Sequence, residues 1–343
     1  MNNARTIKVG VLGAGNFANK QHLPNLKQIE GVGLVAICDI DAEAARRTAT
    51  EFGIARTYTD GHEMIQKECM DALWSIVPAF ARTDIEATAA SRGIHIFSEK
   101  PQAIEMQVAK RIDNAVRQAG VLSTVCFRER YRPIFQEARR LLADKEVVHI
   151  RFQSIGGLPS PPGEGERWSD AMETGGCRFF DWGPHAVDYS RFMSGLDIVT
   201  AQAFFKLPEK YNKPVSACFN FALSNGATMA MTFLDASPCQ PPGEAYFLIY
   251  YEGGYVGVHN YSHIDMNGER VFEGGDYNPW FELDRRFCEA VRTGDDSELL
   301  NDYHDGLYSL APVLAGWESA RRGGQPIDIA EFMQFPDRYA SQR

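Results

Sequence analysis

Residues 7–18 constrain the fold of this chain more than any other stretch, because a mostly apolar run there leads directly into two closely spaced glycines. The run Ile7 to Leu12 is predicted to be a buried β-strand, and the segment after it reads G-x-G-x-x-A. Gly13 permits the tight turn from strand to helix, and Gly15 lacks the Cβ that would keep a pyrophosphate away from the backbone. A helix that begins near Asn16 would direct free N–H groups and the positive end of its dipole towards phosphate. The stretch therefore predicts the first βαβ unit of a dinucleotide-binding fold.

A second strand with an acidic end supports this interpretation of the glycines. In dinucleotide-binding folds an acidic residue about 20 residues further on bonds a ribose hydroxyl. The apolar run Leu34 to Cys38 is followed by Asp39. Asp39 would repel a 2′-phosphate, and Ile40 next to it offers no phosphate donor. The sequence therefore predicts NAD rather than NADP as the cofactor.

Length, charge and cysteine spacing limit the class of protein. A chain of 343 residues exceeds what one hydrophobic core usually serves, so two domains are expected. The net charge of −10 argues against nucleic acid or an anionic membrane as the main partner. No apolar run approaches the roughly 20 residues that span a bilayer, and no signal-peptide core precedes the first strand, so a cytoplasmic location is expected. The seven cysteines lie at least 21 residues apart, which suggests neither a disulfide framework nor a C-x-x-C metal site.

Strands and helices alternate up to residue 127, which predicts a doubly wound parallel sheet in a domain spanning residues 1–127. The apolar run from Ala72 to Val77, before Pro78, is one buried strand of that sheet. The strand from Ile94 to Ser98 delivers Glu99 and Lys100 at its carboxyl end, where ligands of open α/β sheets bind. The predicted cofactor site contains the two glycines, Asn16, Asp39 and Lys100. Its other predicted members are Phe17, Val77, Pro78 and Glu99.

The hydrophobic pattern changes from residue 128 onwards. Val148, Ile150 and Phe152 alternate with polar residues, and similar alternation recurs near residues 215–221 and 227–233. Period-two strands with little helix between them predict an α/β domain over residues 128–343 with an open, mostly antiparallel sheet. Helices are expected at residues 280–291 and 303–322. Two loops rich in proline and glycine, residues 158–165 and 237–243, interrupt the domain; the first either covers a site or is an ordinary surface loop.

Several strands of this second sheet are apolar on both faces. Ala203 and Phe205 are interleaved with Phe204, and Ile249 is interleaved with Leu248 and Tyr250. A homo-oligomer, either a dimer or a tetramer, would cover the second face of such a sheet. Alternatively, the helices near residues 280 and 310 cover both faces within one chain.

A second polar constellation lies between residues 175 and 188. Asp181, His185 and Asp188 are spaced i, i+4 and i+7, so they share one face of a helix. Proline is tolerated in the first turn of a helix, so Pro184 predicts that the helix begins close to Asp181. Asp181 and His185 would then form a reactive pair at a helix end. The alternative is a capping aspartate beside a surface histidine.

Together these residues resemble the Gfo/Idh/MocA family of NAD(P)-dependent oxidoreductases, which includes glucose–fructose oxidoreductase and inositol dehydrogenase. The resemblance covers nearly the whole chain. Its motifs are Gly13-Ala14-Gly15-Asn16-Phe17-Ala18 with His22-Leu23-Pro24, Glu99-Lys100-Pro101, Arg130-Tyr131-x-Pro133, Gly175-Gly176 before Asp181-x-Gly-x-His185-x-x-Asp188, and Asp305-Gly306-Leu307. Two positions depart from the family pattern: Cys177 replaces a glycine, and Arg82 replaces a common histidine.

The resemblance implies a Rossmann domain, a C-terminal α/β domain with an open sheet, and a cleft between them. It also implies that Lys100, Asp181 and His185 are the catalytic residues, which would contact the substrate as well. Oxidation of a secondary alcohol needs a base for the hydroxyl proton and a group that stabilises the alkoxide. Histidine as a residue type has an intrinsic pKa that suits a base, so His185 can take this role; Lys100 can donate to the substrate oxygen, and Asp181 can orient His185 or bond a neighbouring hydroxyl. Whether His185 or Lys100 takes the proton is open, and His185 is favoured.

The roles of the other polar and aromatic candidates stay open at this level. Arg128 and Arg130 either face substrate or cofactor or form structural ion pairs. Trp168 and Trp182 either stack on a sugar or pack in a core. No metal site is predicted, since Cys177, Asp181 and His185 make a poor closed ligand set.

The expected function is oxidation of a secondary hydroxyl of a sugar, sugar derivative or polyol by hydride transfer to NAD. The resemblance also allows a glycosidase that oxidises its sugar transiently with bound NAD, and a dinucleotide-binding regulator without catalysis. The presence of Lys100, Asp181 and His185 argues against the regulator. The substrate and the direction of the reaction cannot be predicted from the sequence.

Overall fold

The computed structural model describes residues 5–159, 171–237 and 246–339. The chain forms two compact units: unit 1 comprises Met1–Tyr131 and Asn278–Leu307, and unit 2 comprises Arg132–Tyr277 and Tyr308–Arg343. Most of the two predicted loops, at 160–165 and 238–243, lies outside the described residues, as does Trp168.

Unit 1 contains a parallel sheet of six strands. The strands are β1 (Ile7–Leu12), β2 (Val32–Cys38), β3 (Arg56–Tyr58), β4 (Ala72–Ser75), β5 (His95–Ser98) and β6 (Ser123–Val125). Their order is β3-β2-β1-β4-β5-β6, and the neighbouring strands run parallel. This arrangement confirms the predicted doubly wound sheet. The order reverses between β1 and β4, and sheets of this kind bind ligands outside the carboxyl ends of the strands at such a point.

The first helices connect the strands of this sheet. They are α1 (Leu23–Gln28), α2 (Ala42–Phe52), α3 (Gly61–Lys67), α4 (Ile85–Ser91) and α5 (Met106–Ala119). α2 begins where the carboxylate of Asp41 accepts hydrogen bonds from the backbone amides of Glu43 and Ala44, and Asp60 begins α3 in the same way. These carboxylates satisfy amides that have no partner within the helix.

The later helices are α6 (Pro133–Leu142), α7 (Arg178–Ser194), α8 (Pro279–Thr293), α9 (Tyr303–Arg321) and α10 (Ile329–Gln334). The predicted helices at 280–291 and 303–322 correspond to α8 and α9. Among the described residues, none of the helices is long and apolar enough to span a membrane.

α8 belongs to unit 1, although the predicted boundary after residue 127 places it in the second domain. Its buried side chains Leu283, Phe287 and Cys288 join the same hydrophobic core as Val9 of β1 and Trp74 of β4. Helical periodicity identifies the apolar stripe of a helix but not the surface that the stripe covers. The sequence pattern therefore could not assign this helix to a unit.

Unit 2 contains a nine-stranded sheet. Its strands are β7 (Val147–Ile155), β8 (Ile198–Lys206), β9 (Ser216–Leu223), β10 (Thr228–Leu234), β11 (Phe247–Tyr251), β12 (Gly254–His259), β13 (His263–Met266), β14 (Glu269–Glu273) and β15 (Ile327–Asp328). Their order is β14-β13-β12-β11-β7-β10-β9-β8-β15. β7 and β10 pair in parallel, and the other described pairs are antiparallel. The predicted open and mostly antiparallel sheet is confirmed.

The alternation expected in β7 fails at one position. Ile150 and Phe152 are buried as predicted, but Val148 is 43% exposed and Val147 is buried instead. The register of β7 against β11 shifts between Tyr250 and Tyr251, which leaves Val148 without a paired residue. Such a bulge reverses the side that the next side chain faces.

The two faces of this sheet differ in their cover. α9 approaches one face so closely that a Cβ at Gly316 would lie 2.4 Å from Cδ1 of Phe219 on β9. On the other face apolar side chains are open: Phe204 is 53% exposed and Tyr250 is 38% exposed. The predicted second apolar face is thus present within unit 2.

Candidate active site

The glycine-rich turn after β1 has the geometry expected for the approach of a phosphate. Gly13 has a φ of +103°, and a Cβ at this residue would lie 2.3 Å from the carbonyl oxygen of Ile76. Around Gly15, apart from the adjacent residues of its own segment, no atom of the described residues lies within 4 Å of a Cβ built there. Gly13 is therefore needed for the turn itself, and Gly15 leaves the space that a pyrophosphate requires.

The helix after this turn begins at Asn16, as predicted, and contains a π-helical segment at Ala18–His22. Phe17, at its start, is 41% exposed, and its ring lies edge-on to that of Trp280 with 6.4 Å between the centroids. π-helical segments shift side chains away from regular helical positions and are frequent at functional sites. Here the segment ends at His22, which lies in the buried cluster described below.

Asp39 ties the glycine-rich turn to the end of β2. Its Oδ2 accepts a hydrogen bond of 2.7 Å from the backbone amide of Ala14, and its Oδ1 accepts one of 2.9 Å from Asp41. The sequence predicted only a ribose contact for this carboxylate. In the structure the same side chain also fixes the glycine-rich turn. Each carboxylate oxygen still has a second lone pair that can accept a hydrogen bond from a ribose hydroxyl.

Val77 and Pro78 follow β4 along the chain. Cγ1 of Val77 lies 3.2 Å from the Cβ position built at Gly13, so Val77 borders the glycine-rich turn. Pro78 precedes a short 3₁₀ helix at Ala79–Ala81. The structure therefore brings Val77 to the predicted cofactor site and places Pro78 next to it in the chain.

Lys100 follows β5 at the carboxyl edge of the parallel sheet. The residue is half-buried, and Glu99 before it is buried. The backbone amide of Lys100 donates to Oε2 of Glu99 at 3.0 Å, and the amide of Glu99 donates to the carbonyl of Ser75 on β4 at 2.9 Å. Lys100 therefore lies beside an anchored carboxylate at the edge where open α/β sheets bind ligands.

His22 lies between two buried carboxylates. Its Nδ1 is 2.8 Å from Oδ1 of Asp284 on α8, and its Nε2 is 3.1 Å from Oε1 of Glu99. Asp284 also accepts hydrogen bonds from Nε1 of Trp74 at 3.0 Å and from Nδ2 of Asn25 at 2.9 Å. His22 and Asp284 were not predicted to belong to the site. The motif His22-Leu23-Pro24 was a signal for the histidine, whereas the sequence contains no signal for its aspartate partner.

The protonation of this cluster follows from its hydrogen bonds. Because both ring nitrogens of His22 face carboxylates, each carries a proton and the ring is an imidazolium. Burial alone lowers the pKa of His22, but the charge and hydrogen bond of Asp284, with hydrogen bonds to Cys126 and Glu99, raise that pKa well above its ordinary value. Burial likewise raises the pKa of Glu99, but the hydrogen bond and charge of His22 and the charge of Lys100 lower it overall. Glu99 is therefore an ionised carboxylate at neutral pH.

Arg82, which departs from the family pattern, is buried among groups next to Lys100. Its Nε donates to the carbonyl of Pro101 at 3.2 Å, and its Nη2 donates to the carbonyl of Glu99. Its Nη1 bonds three side chains, Ser75 at 3.1 Å, Glu86 at 2.9 Å and Ser98 at 3.0 Å. The guanidinium thus binds backbone carbonyls on both sides of Lys100.

α7 begins before Asp181 and contains Pro184 beyond its first turn. The helix spans Arg178–Ser194, with Cys177 at the N-cap position and Asp181 in the first turn. The expectation that Pro184 lies in the first turn is wrong. Since proline has no N–H, the helix lacks the hydrogen bond to the carbonyl of Phe180 at this point.

His185 is held by aromatic neighbours. It is 2% exposed, its Nδ1 lies 2.8 Å from the hydroxyl of Tyr189, and the ring centroid of Trp182 is 5.5 Å away. Asp181 is exposed. Asp188 is buried and accepts a hydrogen bond of 2.9 Å from Ser309, so it anchors α7 to α9. The partner of Nδ1 is therefore a tyrosine that the sequence analysis did not single out.

The predicted catalytic residues lie in both units. Lys100 belongs to unit 1, and Asp181 and His185 belong to unit 2. Arg128, in unit 1, is 3.2 Å from Glu129 and lies over the ring of Trp280 at 4.0 Å. These contacts agree with the structural alternative for this arginine. Arg130 likewise bonds the carbonyl of Leu300 and, at 2.6 Å, the carboxylate of Asp305.

Within the described part of the chain, two clusters have the residue types of metal sites, although the sequence predicted no metal site. His259 and His263 have the spacing H-x-x-x-H, which the sequence analysis overlooked, and they pair across β12 and β13. Asp265 lies 3.1 Å from Nε2 of His259 and 3.6 Å from Nε2 of His263, but Nη2 of Arg270 lies 3.1 Å from the same nitrogen of His263. As described, this cluster is an ion-paired group.

The second cluster is His22, Glu99 and Cys126. Its histidine has both nitrogens bonded to carboxylates and offers no lone pair to a metal.

Comparison with known protein families identifies the family of this chain. The family model described as "Oxidoreductase family, NAD-binding Rossmann fold" matches residues 7–127, and the GFO/IDH/MocA C-terminal domain matches residues 135–267. The chain belongs to the Gfo/Idh/MocA family. The predicted resemblance is thereby confirmed.

Among the relatives of this chain, two that match nearly its whole length are named as dehydrogenases. The scyllo-inositol 2-dehydrogenase (NAD(+)) of Bacillus subtilis is 25% identical over 94% of this chain and 96% of its own length. The D-xylose 1-dehydrogenase (NADP(+)) 2 of Haloferax volcanii is 26% identical over 92% of this chain and 97% of its own. Both are named as dehydrogenases, one for each nicotinamide cofactor.

Solved structures share the Gfo/Idh/MocA fold. The WlbA dehydrogenase from Bordetella pertussis, in complex with NADH and UDP-GlcNAcA, has a TM-score of 0.79 at 22% identity and covers 94% of this chain and 99% of its own. An oxidoreductase from Agrobacterium radiobacter, in complex with NAD+, L-tartaric acid and magnesium, has a TM-score of 0.79 at 21% identity over 95% and 99% of the two chains.

Proposed function

We propose that this chain is an NAD-dependent dehydrogenase that oxidises a secondary hydroxyl of a sugar, sugar derivative or polyol. The observation that carries the proposal lies in unit 1. One sheet edge carries the turn at Gly13, the carboxylate of Asp39 bonded to that turn, and Lys100 after β5. These are a phosphate site, a ribose acceptor and a cation for the substrate oxygen, in the crevice where such sheets bind ligands.

The residues of unit 1 fit NAD. The open space at Gly15 and the helix that begins at Asn16 suit the pyrophosphate, and Asp39 suits the ribose. The remaining residues of the proposed cofactor site are Gly13, Phe17, Val77, Pro78, Glu99 and Lys100. When bound, the nicotinamide supplies the acceptor for the hydride.

Lys100, Asp181 and His185 are the proposed catalytic residues. His185 takes the hydroxyl proton, and its ring is held for this by the hydroxyl of Tyr189. Lys100 donates to the substrate oxygen and stabilises the alkoxide that develops. Asp181, exposed in the first turn of α7, bonds a neighbouring hydroxyl of the substrate. The relatives named as inositol, apiose and xylose dehydrogenases support a polyhydroxylated substrate.

The test is the formation of NADH with a panel of myo-inositol, scyllo-inositol, D-xylose and D-apiose. The proposal expects one NADH for each substrate molecule oxidised, and loss of this activity in Lys100→Ala. Cleavage of a nitrophenyl glycoside without net NADH would show the glycosidase instead. NAD binding without turnover on the panel or on glycosides would favour the regulator.

Cofactor preference provides a further prediction. We expect a higher kcat/KM with NAD than with NADP. Asp39→Ala should lower the ratio of the NAD value to the NADP value, because it removes the charge that repels a 2′-phosphate. Asp41→Ala is the matched control, since Asp41 caps α2 and its loss should cost about 1 kcal/mol of stability without changing the ratio. Equal kcat/KM for the two cofactors in the wild type would contradict the assignment of Asp39.

We also propose that the chain forms a homo-oligomer, a dimer or a tetramer, through the open face of the nine-stranded sheet. The exposed rings of Phe204 and Tyr250 on that face support it. Light scattering during size-exclusion chromatography should give a multiple of 38.3 kDa, and Phe204→Glu should dissociate the assembly. Val271→Glu, at an exposed residue of β14, is the control. A monomer at micromolar concentration would refute the proposal, and an oligomer unchanged by Phe204→Glu would place the interface elsewhere.

A further inference from the structure

We propose that Arg82 and His22 are positioning residues that hold the backbone of Lys100. The inference rests on the proposed function, which gives Lys100 its catalytic role. It starts from the backbone around that lysine, where buried side chains bind polar groups on both sides.

The first holding contact is made by Arg82. Its Nη2 donates to the carbonyl of Glu99, the residue before Lys100, and its Nε donates to the carbonyl of Pro101, the residue after it, at 3.2 Å. The guanidinium is itself fixed, because its Nη1 bonds Glu86 on α4 and the hydroxyls of Ser75 on β4 and Ser98 on β5. The guanidinium of Arg82 therefore connects the segment around Lys100 to β4, β5 and α4.

The second holding contact runs through the side chain of Glu99. Its Oε2 accepts from the backbone amide of Lys100 at 3.0 Å, while its Oε1 is bonded to His22 at 3.1 Å. His22 is fixed in turn by Asp284 of α8 at 2.8 Å. In the peptide group between Glu99 and Lys100, the oxygen is thus bonded by Arg82. The nitrogen is bonded by the carboxylate of Glu99, which His22 and Asp284 hold in turn.

Charge keeps the second contact intact. The His22 imidazolium stabilises the ionised form of Glu99, and an ionised carboxylate accepts from Lys100 and from His22 at once. Without His22, a buried carboxylate in this place would lose its charged partner and would tend to take up a proton. A protonated Glu99 could no longer serve both donors equally well.

These backbone contacts matter because the ammonium of a lysine lies at the end of a long side chain. A displacement of about 1 Å at a reacting group can cost about a hundredfold in rate. The position of the Lys100 ammonium depends on the position of its Cα, and the backbone there is hydrogen-bonded from two directions. Arg82 suits this task better than lysine would, since only a guanidinium presents several N–H donors in a fixed plane.

The test combines Arg82→Lys and His22→Gln with Lys100→Ala in double-mutant cycles. Each single variant should lower kcat about tenfold, since the reacting group is displaced rather than removed. In the Lys100→Ala background the same substitutions should change kcat by less than about twofold, because the group that they position is gone. The affinity for NAD, measured by calorimetry, should stay within about threefold of the wild type in both positioning variants.

Asn301→Ala is the matched control. Asn301 is buried in the same unit, and its hydrogen bonds within the described residues go to Thr124 and Val125 of β6 and not to residues 99–101. It should lower the melting temperature as the test variants do and leave kcat per folded molecule unchanged. If Arg82 or His22 has a merely structural role, its variant will lower the melting temperature, and kcat per folded molecule will either stay unchanged, as in this control, or change by the same factor in both backgrounds.

The outcomes separate this inference from the proposed function. Normal turnover of Lys100→Ala would refute the catalytic role of Lys100 and the positioning inference with it. A slow Lys100→Ala enzyme with wild-type rates in Arg82→Lys and His22→Gln would overturn the positioning inference alone. If His22→Gln fails to fold, Glu99→Gln replaces it, since the amide keeps the shape but offers only one acceptor oxygen. If Arg82→Lys fails to fold, Arg82→Gln replaces it, since one amide group cannot donate to both backbone carbonyls in the way the guanidinium does. A wild-type kcat in the replacement variant would also overturn the inference.

Discussion

Lys100→Ala is expected to lower kcat by roughly a hundredfold or more while it leaves the affinity for NAD nearly unchanged. The reason is that the ammonium of Lys100 is proposed to act on the substrate oxygen, whereas the pyrophosphate site is formed by the glycine-rich turn. His185→Ala should have an effect of the same order, because His185 is proposed to take the hydroxyl proton. Initial rates with the best substrate of the panel and calorimetric titration with NAD measure the two quantities separately.

Lys67→Ala and His149→Ala are the controls for these two substitutions. Lys67 lies on α3 of unit 1 and pairs with Glu63, and His149 lies on β7 of unit 2 and bonds Thr228. Neither belongs to the proposed site, so both variants should keep wild-type kcat. Near-normal turnover of Lys100→Ala or of His185→Ala would remove that residue from the mechanism.

Gly13→Ala is expected to abolish measurable NAD binding and to lower the free energy of unfolding by about 2 kcal/mol or more. At a φ of +103° an alanine is strained, and its Cβ would lie 2.3 Å from the carbonyl oxygen of Ile76. That oxygen belongs to the backbone after β4, so relief requires the turn and the sheet edge to separate. Urea unfolding and NAD titration measure the two effects.

Gly15→Ala provides the contrast within the same turn. Because the space around Gly15 is open in the described part of the chain, this variant should keep its stability within about 0.5 kcal/mol of the wild type. It should nevertheless bind NAD more weakly, since the added methyl group occupies the space proposed for the pyrophosphate. A Gly13→Ala protein with wild-type stability and affinity would contradict this account of the turn.

The sequence by itself determined those features that depend on residues close together in the chain. The order of strand, glycine-rich turn, helix, strand and acid was sufficient to predict the parallel sheet and the position of Asp39. Period-two alternation was sufficient to predict the antiparallel sheet of unit 2. Local rules were less reliable within α7, where Pro184 lies beyond the first turn because the helix extends back to Arg178.

The tertiary structure alone decided which side chains surround the predicted catalytic residues. His22 and Asp284 are 262 residues apart in the chain, yet their side chains form one hydrogen bond. Asp284 reaches His22 because α8 returns to unit 1 and buries its apolar stripe in the core of that unit. A carboxylate or guanidinium becomes part of a site through burial and through the partner that satisfies it, and both depend on contacts between distant segments. For that reason the sequence could predict that Lys100 lies at the carboxyl edge of the parallel sheet, but not that the arginine and the histidine surround its backbone.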